Sequence, residues 1–290
     1  MFLDLSVDNR CAEFMRAGAS AATAHAASST HVVLPRQADA DDDFIISMVT
    51  SEAQRSDASA LINRRYAWRG YGSHHELSQQ PDQTSFAIAT GGVTIGTLTL
   101  TVDSNAGLST DETFRDELNT YRRVPGARIC ELTRFAVDAA RPSKQLLASL
   151  FHVIFIYGQR KYGCTDLFIE VAQRHRRFYE AMLGFERVCA LKTNESVGVP
   201  SQLMRLNVAD IQGHIDAHSG SRDDATCRSL YPFFLSKAEE NRIFCELAPV
   251  LGAPSRMLPR VNAIDKIDAP EASASPSRLV RQWQTIRARA

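Results

Sequence analysis

One stretch, Ile129 to Val171, constrains the fold of this chain more than any other. It opens on Ile129-Cys130-Glu131-Leu132-Thr133-Arg134-Phe135-Ala136-Val137-Asp138, a β-rich run. Ser143 then offers a side-chain cap. Leu146, Leu147, Leu150, Val153, Ile154 and Tyr157 fall at helical spacing after it and predict a helix from about Lys144 to Tyr162. Gly163 suits the left-handed stop of that helix. A second apolar run, Leu167-Phe168-Ile169-Glu170-Val171, follows. Strand, crossover helix and strand in this order imply a parallel pair joined by a right-handed connection.

The flanking segments extend this unit. Ser85–Thr90 and Val93–Leu100 are β-rich and separated only by Gly91-Gly92, a two-residue hairpin signal. They add antiparallel neighbours, so the expected class is α/β (α+β) with a mixed central sheet. Helices are expected at Glu52–Trp68, Thr110–Leu118 and Arg174–Leu183, and a closing strand at Gln202–Val208. Three zones result. Residues 1–43 are rich in Ala and Ser, end in the acidic run Asp39 to Asp43, and are expected to form a mobile N-terminal segment. Residues 44–208 form the main domain. Residues 209–290 form a helical extension with a loose tail around Ala269–Ser277.

Charge and cysteine usage narrow the function classes. Lys+Arg and Asp+Glu both number 33, so there is no overall basic excess for nonspecific nucleic-acid binding. The six cysteines are scattered without C-x-x-C spacing, which argues against a disulfide framework or a zinc site and fits a reducing, cytoplasmic setting. His74-His75 has no acidic or cysteine partner at ligand spacing, so no metal is expected. There is no apolar run of about eighteen residues for an integral membrane segment and no secretory signal pattern.

Glu131 and Arg134 are the anomaly in the first strand, because a strand that only fills a core does not carry opposite charges in its middle. Alternation places Glu131, Thr133 and Phe135 on one face and Leu132, Arg134 and Ala136 on the other. A bulge over Phe135–Val137 would break that rule locally. Glu131 is either half of a structural ion pair or a catalytic base; Arg134 is a structural or binding group able to make bidentate contacts.

The order of elements, with Phe178-Tyr179-Glu180-Ala181-Met182-Leu183-Gly184-Phe185 after the second strand, resembles the GCN5-related N-acetyltransferase (GNAT) fold. "ELTRFAVD" is similar to the Glu-x-Ser-Arg-Phe-x-Val strand of acyl-homoserine-lactone synthases, with Thr133 in place of serine. Together with "LINRRYAWRGYG", "GTLTLTVDS", "GCTDLFIEV" and "RFYEAMLGF", the chain over about 45–208 most resembles the long-chain N-acyl amino acid synthases, whose best-known members use tyrosine.

That resemblance implies an amide-forming N-acyltransferase. It implies no cofactor of its own, an acyl donor carried on the 4'-phosphopantetheine of acyl carrier protein, and a free amino acid as acceptor. Glu131, with Thr133 and Arg134, is then the catalytic group, taking a proton from the amine directly or through a water. Backbone N–H groups of Phe135, Ala136 and Val137 serve the oxyanion and the pantetheine arm. Arg65, Trp68 and Arg69 are expected to hold the amino acid. Arg141, Ser143 and Lys144 are expected to grip the carrier's phosphate. The loop Ala139–Gln145 has no glycine, unlike the pyrophosphate cradle of enzymes that use coenzyme A, and this favours a carrier protein. The basic cluster Arg174, His175, Arg176 and Arg177 faces either such a carrier or solvent. Phe151, Phe155, Ile156 and Tyr157 line either an acyl tunnel or the core. Tyr179 lies five residues before Gly184 where the pattern has four, a rotation of about 100° on a helix, so its place as general acid stays open. The alternatives are a coenzyme A-dependent GNAT N-acyltransferase, a homoserine-lactone-type signal synthase using S-adenosylmethionine, and a non-catalytic acyl-binding or regulatory module.

Overall fold

The computed structural model describes residues 31–33, 44–72, 74–77, 79–138, 143–218 and 228–251, with side chains for all but 31–33 and 246–251. Residues 252–290, including the predicted tail, lie outside the described residues. The elements in chain order are β1 (His31–Val33), β2 (Ile45–Met48), α1 (Glu52–Ala67), β3 (Gln83–Thr90), β4 (Val93–Val102), α2 (Asp111–Arg122), β5 (Ile129–Val137) and α3 (Lys144–Tyr162). They continue with β6 (Asp166–Ala172), a 3-10 turn at Gln173–His175, α4 (Arg176–Leu183), β7 (Glu186–Arg187), β8 (Lys192–Asn194), β9 (Val199–Asn207), α5 (Val208–His218), a 3-10 turn at Tyr231–Phe233 and α6 (Lys237–Leu251).

The strands form one mixed sheet in the order β1-β2-β3-β4-β5-β6-β9-β7, with β8 paired to β9. The predicted parallel pair is β5 with β6; the other pairings among the described residues are antiparallel. The β3–β4 hairpin turns at Gly91 and Gly92, with φ of 54° and 80°, the positive values that a two-residue hairpin requires. The Ser143 hydroxyl accepts the Leu146 N–H at 3.1 Å to open α3, and Gly163, at φ 64°, closes it. β2, β7 and β8 were not foreseen, because runs of two to four residues carry no readable period. The N-terminal zone contributes His31–Val33 to the sheet edge; residues 1–30 and 34–43 lie outside the described residues.

The sheet face carrying Ile88, Leu98, Leu100, Leu132, Phe135 and Ile169 packs on α3 and makes the largest core cluster. The other face carries α1 and α2 over two smaller clusters, one including Ile62, Tyr66, Tyr71 and Ala136, the other Phe114, Leu118 and Phe168. α3 is buried on every side from Leu146 to Gly158, not along one apolar face. The C-terminal zone covers its far side: Phe234 stacks on His152 at 4.7 Å and meets Phe155 at 5.9 Å. Phe151 packs on Phe135 at 5.3 Å and on Phe155 at 6.2 Å, so these rings fill the core against one another.

One polar node fixes the C-terminal zone to this core. His152 is fully buried and its Nδ1 accepts the Leu235 N–H at 2.8 Å. Its proton is therefore on Nε2, which donates to Glu240 Oε1 at 2.9 Å. Arg160 at 3.0 Å and Lys237 at 2.8 Å complete the shell of Glu240. Burial alone would raise the Glu240 carboxyl; the hydrogen bonds from His152 and Lys237 outweigh it and hold it at about 2. Burial pushes His152 below the usual imidazole value.

Both shifts make acid unfavourable to the fold. The Glu240 contribution is present above the unfolded carboxylate value of about 4.5 and is lost as pH falls through the folded value of about 2. Keeping His152 neutral adds a cost below the unfolded imidazole value of about 6.5. Urea unfolding at neutral pH should show Glu240→Gln to be less stable by about 3 kcal/mol, the usual cost of removing one partner from a buried ionic cluster. The gap to wild type should narrow as pH falls toward 3, where the carboxylate is titrating; a gap independent of pH would mean that Glu240 acts by packing alone.

Candidate active site

β5 and β6 part company inside the sheet. They pair from Ile129 opposite Asp166 to Glu131 opposite Phe168, and no further. β6 runs on to Ala172 bonded to β9, and β5 runs on to Val137 bonded to β4. The register of β4 with β5 slips between Thr99 opposite Thr133 and Thr97 opposite Ala136, so Arg134 and Phe135 together oppose Leu98. This is a β-bulge. Arg134 carries its strain: φ is 53°, and among the described residues it alone has positive φ without being glycine. The Thr97 hydroxyl donates to the Arg134 carbonyl at 2.8 Å and holds that conformation.

The bulge lies one residue earlier than Phe135–Val137, and it reverses the expected faces. Phe135 joins Leu132 and Val137 in the α3-facing core instead of following Thr133. Thr133 and Arg134, neighbours in sequence, both border a cavity on the α1 and α2 face. Asp138 donates its N–H to Ile95 on the β4 side. Strand alternation therefore turns the Ala136 N–H toward β4 and the Val137 N–H toward the gap beside β6.

The cavity measures about 230 Å³. Tyr66, Tyr71 and His75 come to it from α1 and the following loop, Gln83 and Thr101 from the hairpin strands, and Ser109 and Glu112 from the start of α2. Asn194, Ser196 and Val197 close it from β8 and its turn. Glu131 does not border it. That side chain is fully buried where β5 and β6 are still paired, and its carboxylate is engaged from the cavity side by Ser109. The Ser109 N–H donates to Oε2 at 2.8 Å, and its hydroxyl lies 2.8 Å from Oε1 and 2.9 Å from Oε2. Burial pushes the Glu131 carboxyl above its usual value while the bonds from Ser109 pull it back.

Arg134 is the under-satisfied cation of this wall. Nη1 donates to Gln83 Oε1 at 3.4 Å, Nε is buried without an acceptor, and the guanidinium meets no carboxylate among the described residues. Burial pulls its pKa down, with the nearby Tyr66 and Glu131 opposing. Opposite stands Glu170 on β6, also fully buried. Its Oε1 accepts from Asn194 Nδ2 at 2.8 Å and Ser201 Oγ at 2.6 Å, while its Oε2 and the Asn194 Oδ1 have no donor. A glutamate inside "LFIEV" was visible by the criterion that singled out Glu131. Ser109 and Asn194 gave no such signal.

The other expected site residues lie outside this wall. Trp68 is 61% exposed, with the Arg69 guanidinium over its ring at 5.1 Å. Arg65 sits 3.8 Å from Asp138, which Arg64 also pairs. The same segment presents Tyr66 to the cavity instead, because one residue turns a helix by about 100°, and the loop after α1 brings Tyr71 back to it. Ser143 is occupied as the α3 cap, and the Lys144 ammonium lies over the Phe233 ring at 5.5 Å. Arg141 is outside the described residues. Tyr179 is fully buried with no partner for its hydroxyl, and burial pushes that phenol well above its usual value. Beside the cavity, Arg174 donates to His175 at 2.9 Å and to the Tyr71 hydroxyl. Burial, then Arg174 and Arg69, hold His175 at about 4. His75 Nε2 lies 3.0 Å from the Tyr71 carbonyl, and no group of three or more His, Cys, Asp or Glu among the described residues is placed to hold a metal.

Comparison with known proteins gives this geometry a setting. The family model for N-acyl amino acid synthase FeeM matches residues 57–207. Among solved structures, FeeM, an N-acyl amino acid synthase from uncultured soil microbes, superposes with a TM-score of 0.53 at 24% identity, over 59% of this chain and 95% of that one. The acyl-homoserine-lactone synthase LasI gives 0.45 at 14% identity, over 58% of this chain and 91% of that one. BjaI, a coenzyme A-dependent acyl-homoserine lactone synthase, gives 0.39 at 16% identity, over 56% and 78%. No curated protein matches the sequence.

The left-handed bulge can be tested without any substrate. Arg134→Ala and Arg134→Gly both remove the guanidinium, but only glycine adopts positive φ freely. Arg134→Gly should therefore be the more stable of the two by about 1 kcal/mol in urea unfolding. The opposite order would place Arg134 in ordinary extended backbone.

Proposed function

The chain belongs to the N-acyl amino acid synthase FeeM family and is an N-acyltransferase, and from that premise we propose that it joins a long-chain fatty acyl group, delivered by acyl carrier protein, to the α-amino group of a free amino acid. The observation that carries the acceptor assignment is Arg134: a largely buried guanidinium with an unfilled donor beside a cavity demands a small anion, and an amino acid carboxylate supplies one. The cavity, at about 230 Å³, is below the roughly 300–1,000 Å³ of pockets for drug-sized ligands and suits a single amino acid. Tyrosine is the acceptor we test first.

The gap between β5 and β6 is the entry for the pantetheine arm in this reading, with the thioester carbonyl against the Val137 N–H. Glu131 is the ultimate proton acceptor. The amine nitrogen bonds to the carbonyl carbon, the C–S bond breaks, and the sulfur leaves as a thiolate, a weaker base than an amine. We assign no step to Tyr179. Arg174 and Arg177, both exposed around the start of α4, support the carrier assignment, since neighbouring positive charges at the surface favour an acidic partner. The glycine-free loop Ala139–Gln145 supports it too, since one phosphodiester needs no pyrophosphate cradle. A carrier-protein donor places the reaction in the cytoplasm, and no described helix is long and apolar enough to cross a membrane. The catalytic domain is taken as 44–208, preceded by segment 1–43 and followed by the extension 209–290.

The deciding experiment offers palmitoyl acyl carrier protein and palmitoyl-coenzyme A in parallel with single amino acids, and identifies products by mass spectrometry. A palmitoyl amide of a free amino acid, formed at least about tenfold more efficiently from the carrier and increasingly slowly with added salt, is the expected result. Preference for the coenzyme A thioester would overturn the donor assignment; faster formation of an acyl-homoserine lactone when S-adenosylmethionine is offered in place of the amino acid would overturn the acceptor. Replacing Arg134 by Met should raise the KM for the amino acid by about 10- to 100-fold, the worth of a charge-assisted hydrogen bond. Glu131→Gln should lower kcat by about 100-fold or more.

A further inference from the structure

The buried position of Glu131 raises a question of reach, because its carboxylate does not border the cavity where the acceptor amine would sit. Ser109 does border it. An ionised carboxylate accepts hydrogen bonds and cannot donate them. With Glu131 ionised as the base of the reading above, the Ser109 hydroxyl, at 2.8 and 2.9 Å from the two carboxylate oxygens, directs its proton at Glu131. Its lone pairs remain available to a donor in the cavity. We propose that Ser109 is a catalytic residue: its Oγ receives the proton released by the amine while its own proton passes to Glu131. This rests on the reading above, in which an amino acid amine occupies the cavity.

The surrounding loop is built to hold that hydroxyl in place. The backbone N–H of Ser109 donates to Glu131 Oε2 at 2.8 Å, so the residue is tied to the carboxylate through two atoms. Arg122 bridges Asp103 at 2.9 Å and Asp111 at 2.6 Å, closing the loop on both sides of Ser109. Asp111 Oδ2 accepts the Leu108 N–H at 2.7 Å. Gly107 has φ of 77°, and a Cβ there would stand 2.7 Å from that same Asp111 oxygen, so a side chain at 107 would dislodge the loop. Thr133 and Arg134 line the same cavity from β5, on the strand that carries Glu131.

The proton accounting closes. The neutral amine attacks the thioester carbonyl, and its nitrogen becomes cationic as the C–N bond forms. One N–H proton moves to Ser109 Oγ, and the Ser109 hydroxyl proton moves to Glu131. The C–S bonding pair leaves on sulfur. Glu131 later releases the proton, through Ser109 or solvent, and the thiolate is protonated. Ser109 ends as it began, and the net products are one amide and one thiol.

Ser109→Ala, Ser109→Gly and Ser109→Thr test the relay with the acyl carrier thioester and the amino acid acceptor, following kcat, KM and the pH–rate profile, with unfolding midpoints to check folding. Both variants without a hydroxyl should lose about 100-fold in plateau kcat while the KM for the amino acid changes less than about threefold. Ser109→Thr, which keeps a hydroxyl, should recover at least about tenfold of that loss. A residue that merely holds Glu131 behaves differently. Its loss would move the acid limb to higher pH, since a hydrogen bond stabilising the carboxylate is gone, but leave the plateau intact. That result overturns the relay. A wild-type protein that forms no acyl amino acid with any amino acid tested overturns the function proposed above, and the relay with it, before any variant is compared.

Discussion

Backbone pairing between β5 and β6 stops at Glu131 and Phe168, and the arrangement of the site follows from that. Backbone N–H and C=O groups away from water need partners, so a sheet does not open in its middle without a cause. The cause is local: two residues of β5, Arg134 and Phe135, oppose one residue of β4, and the extra length bends β5 away. Thr97, one strand over, holds the strained carbonyl. The opening leaves the facing edges of two parallel strands free to bond an extended guest, the same physics by which sheets accept an added strand. The pantetheine arm proposed above, with its amide groups, has the shape and chemistry of such a guest.

The bulge also decides which charges face the cavity. Without it Arg134 would alternate to the α3 side and enter a core of Leu132, Phe151 and Ile154, where a guanidinium has no partner. With it, Arg134 shares a face with Glu131 below and Glu170 across the gap. These three charges, the two glutamates fully buried and Arg134 partly so, are satisfied unequally. Glu131, at the paired end, has both oxygens bonded; Glu170 has one; Arg134 has a single long contact to Gln83. Burying a charge costs several kcal/mol unless bonded partners offset it. Satisfaction that falls off toward the open end fits the zwitterionic acceptor proposed above, whose charges would complete it.

Much of the scaffold was legible because it rests on local chemistry. Gly91-Gly92 can only be a tight turn, Ser143 and Gly163 bracket α3 at both ends, and Glu131 stands out as a charge in an apolar strand. The bulge was anticipated but misplaced by one residue, since its position is set by Thr97 and Leu98 on a different strand. Ser109 left no mark in the sequence: a serine between loop and helix is common, and only folding brings it against a glutamate on β5. Arg65, Trp68 and Arg69 were read as acceptor ligands because their motif resembles the acceptor side of the synthases. The helix presents Tyr66 instead, and the chain beyond it returns Tyr71. Glu170 was legible and overlooked, although it meets the same criterion as Glu131.

The C-terminal zone bears on the site through α3. Had α3 been covered on one side only, its far face would show polar residues to solvent; His152 and Phe155 are buried there against Phe234 instead. That face is sealed by Leu235, Phe234 and α6, and the His152 imidazole on it is fixed in a single tautomer between the Leu235 N–H and Glu240. A helix gripped in this way cannot slide or rotate without leaving a buried imidazole and a buried carboxylate unpaired, at a cost of several kcal/mol. Its N-terminus at Ser143 is the end from which the chain runs back to β5 at Asp138. The distance between the open end of the sheet and the start of α3 is therefore set by packing on the opposite side of the helix. The frame of the gap is thus fixed before any guest enters it, and the interaction that fixes it lies on the side of α3 turned away from the cavity.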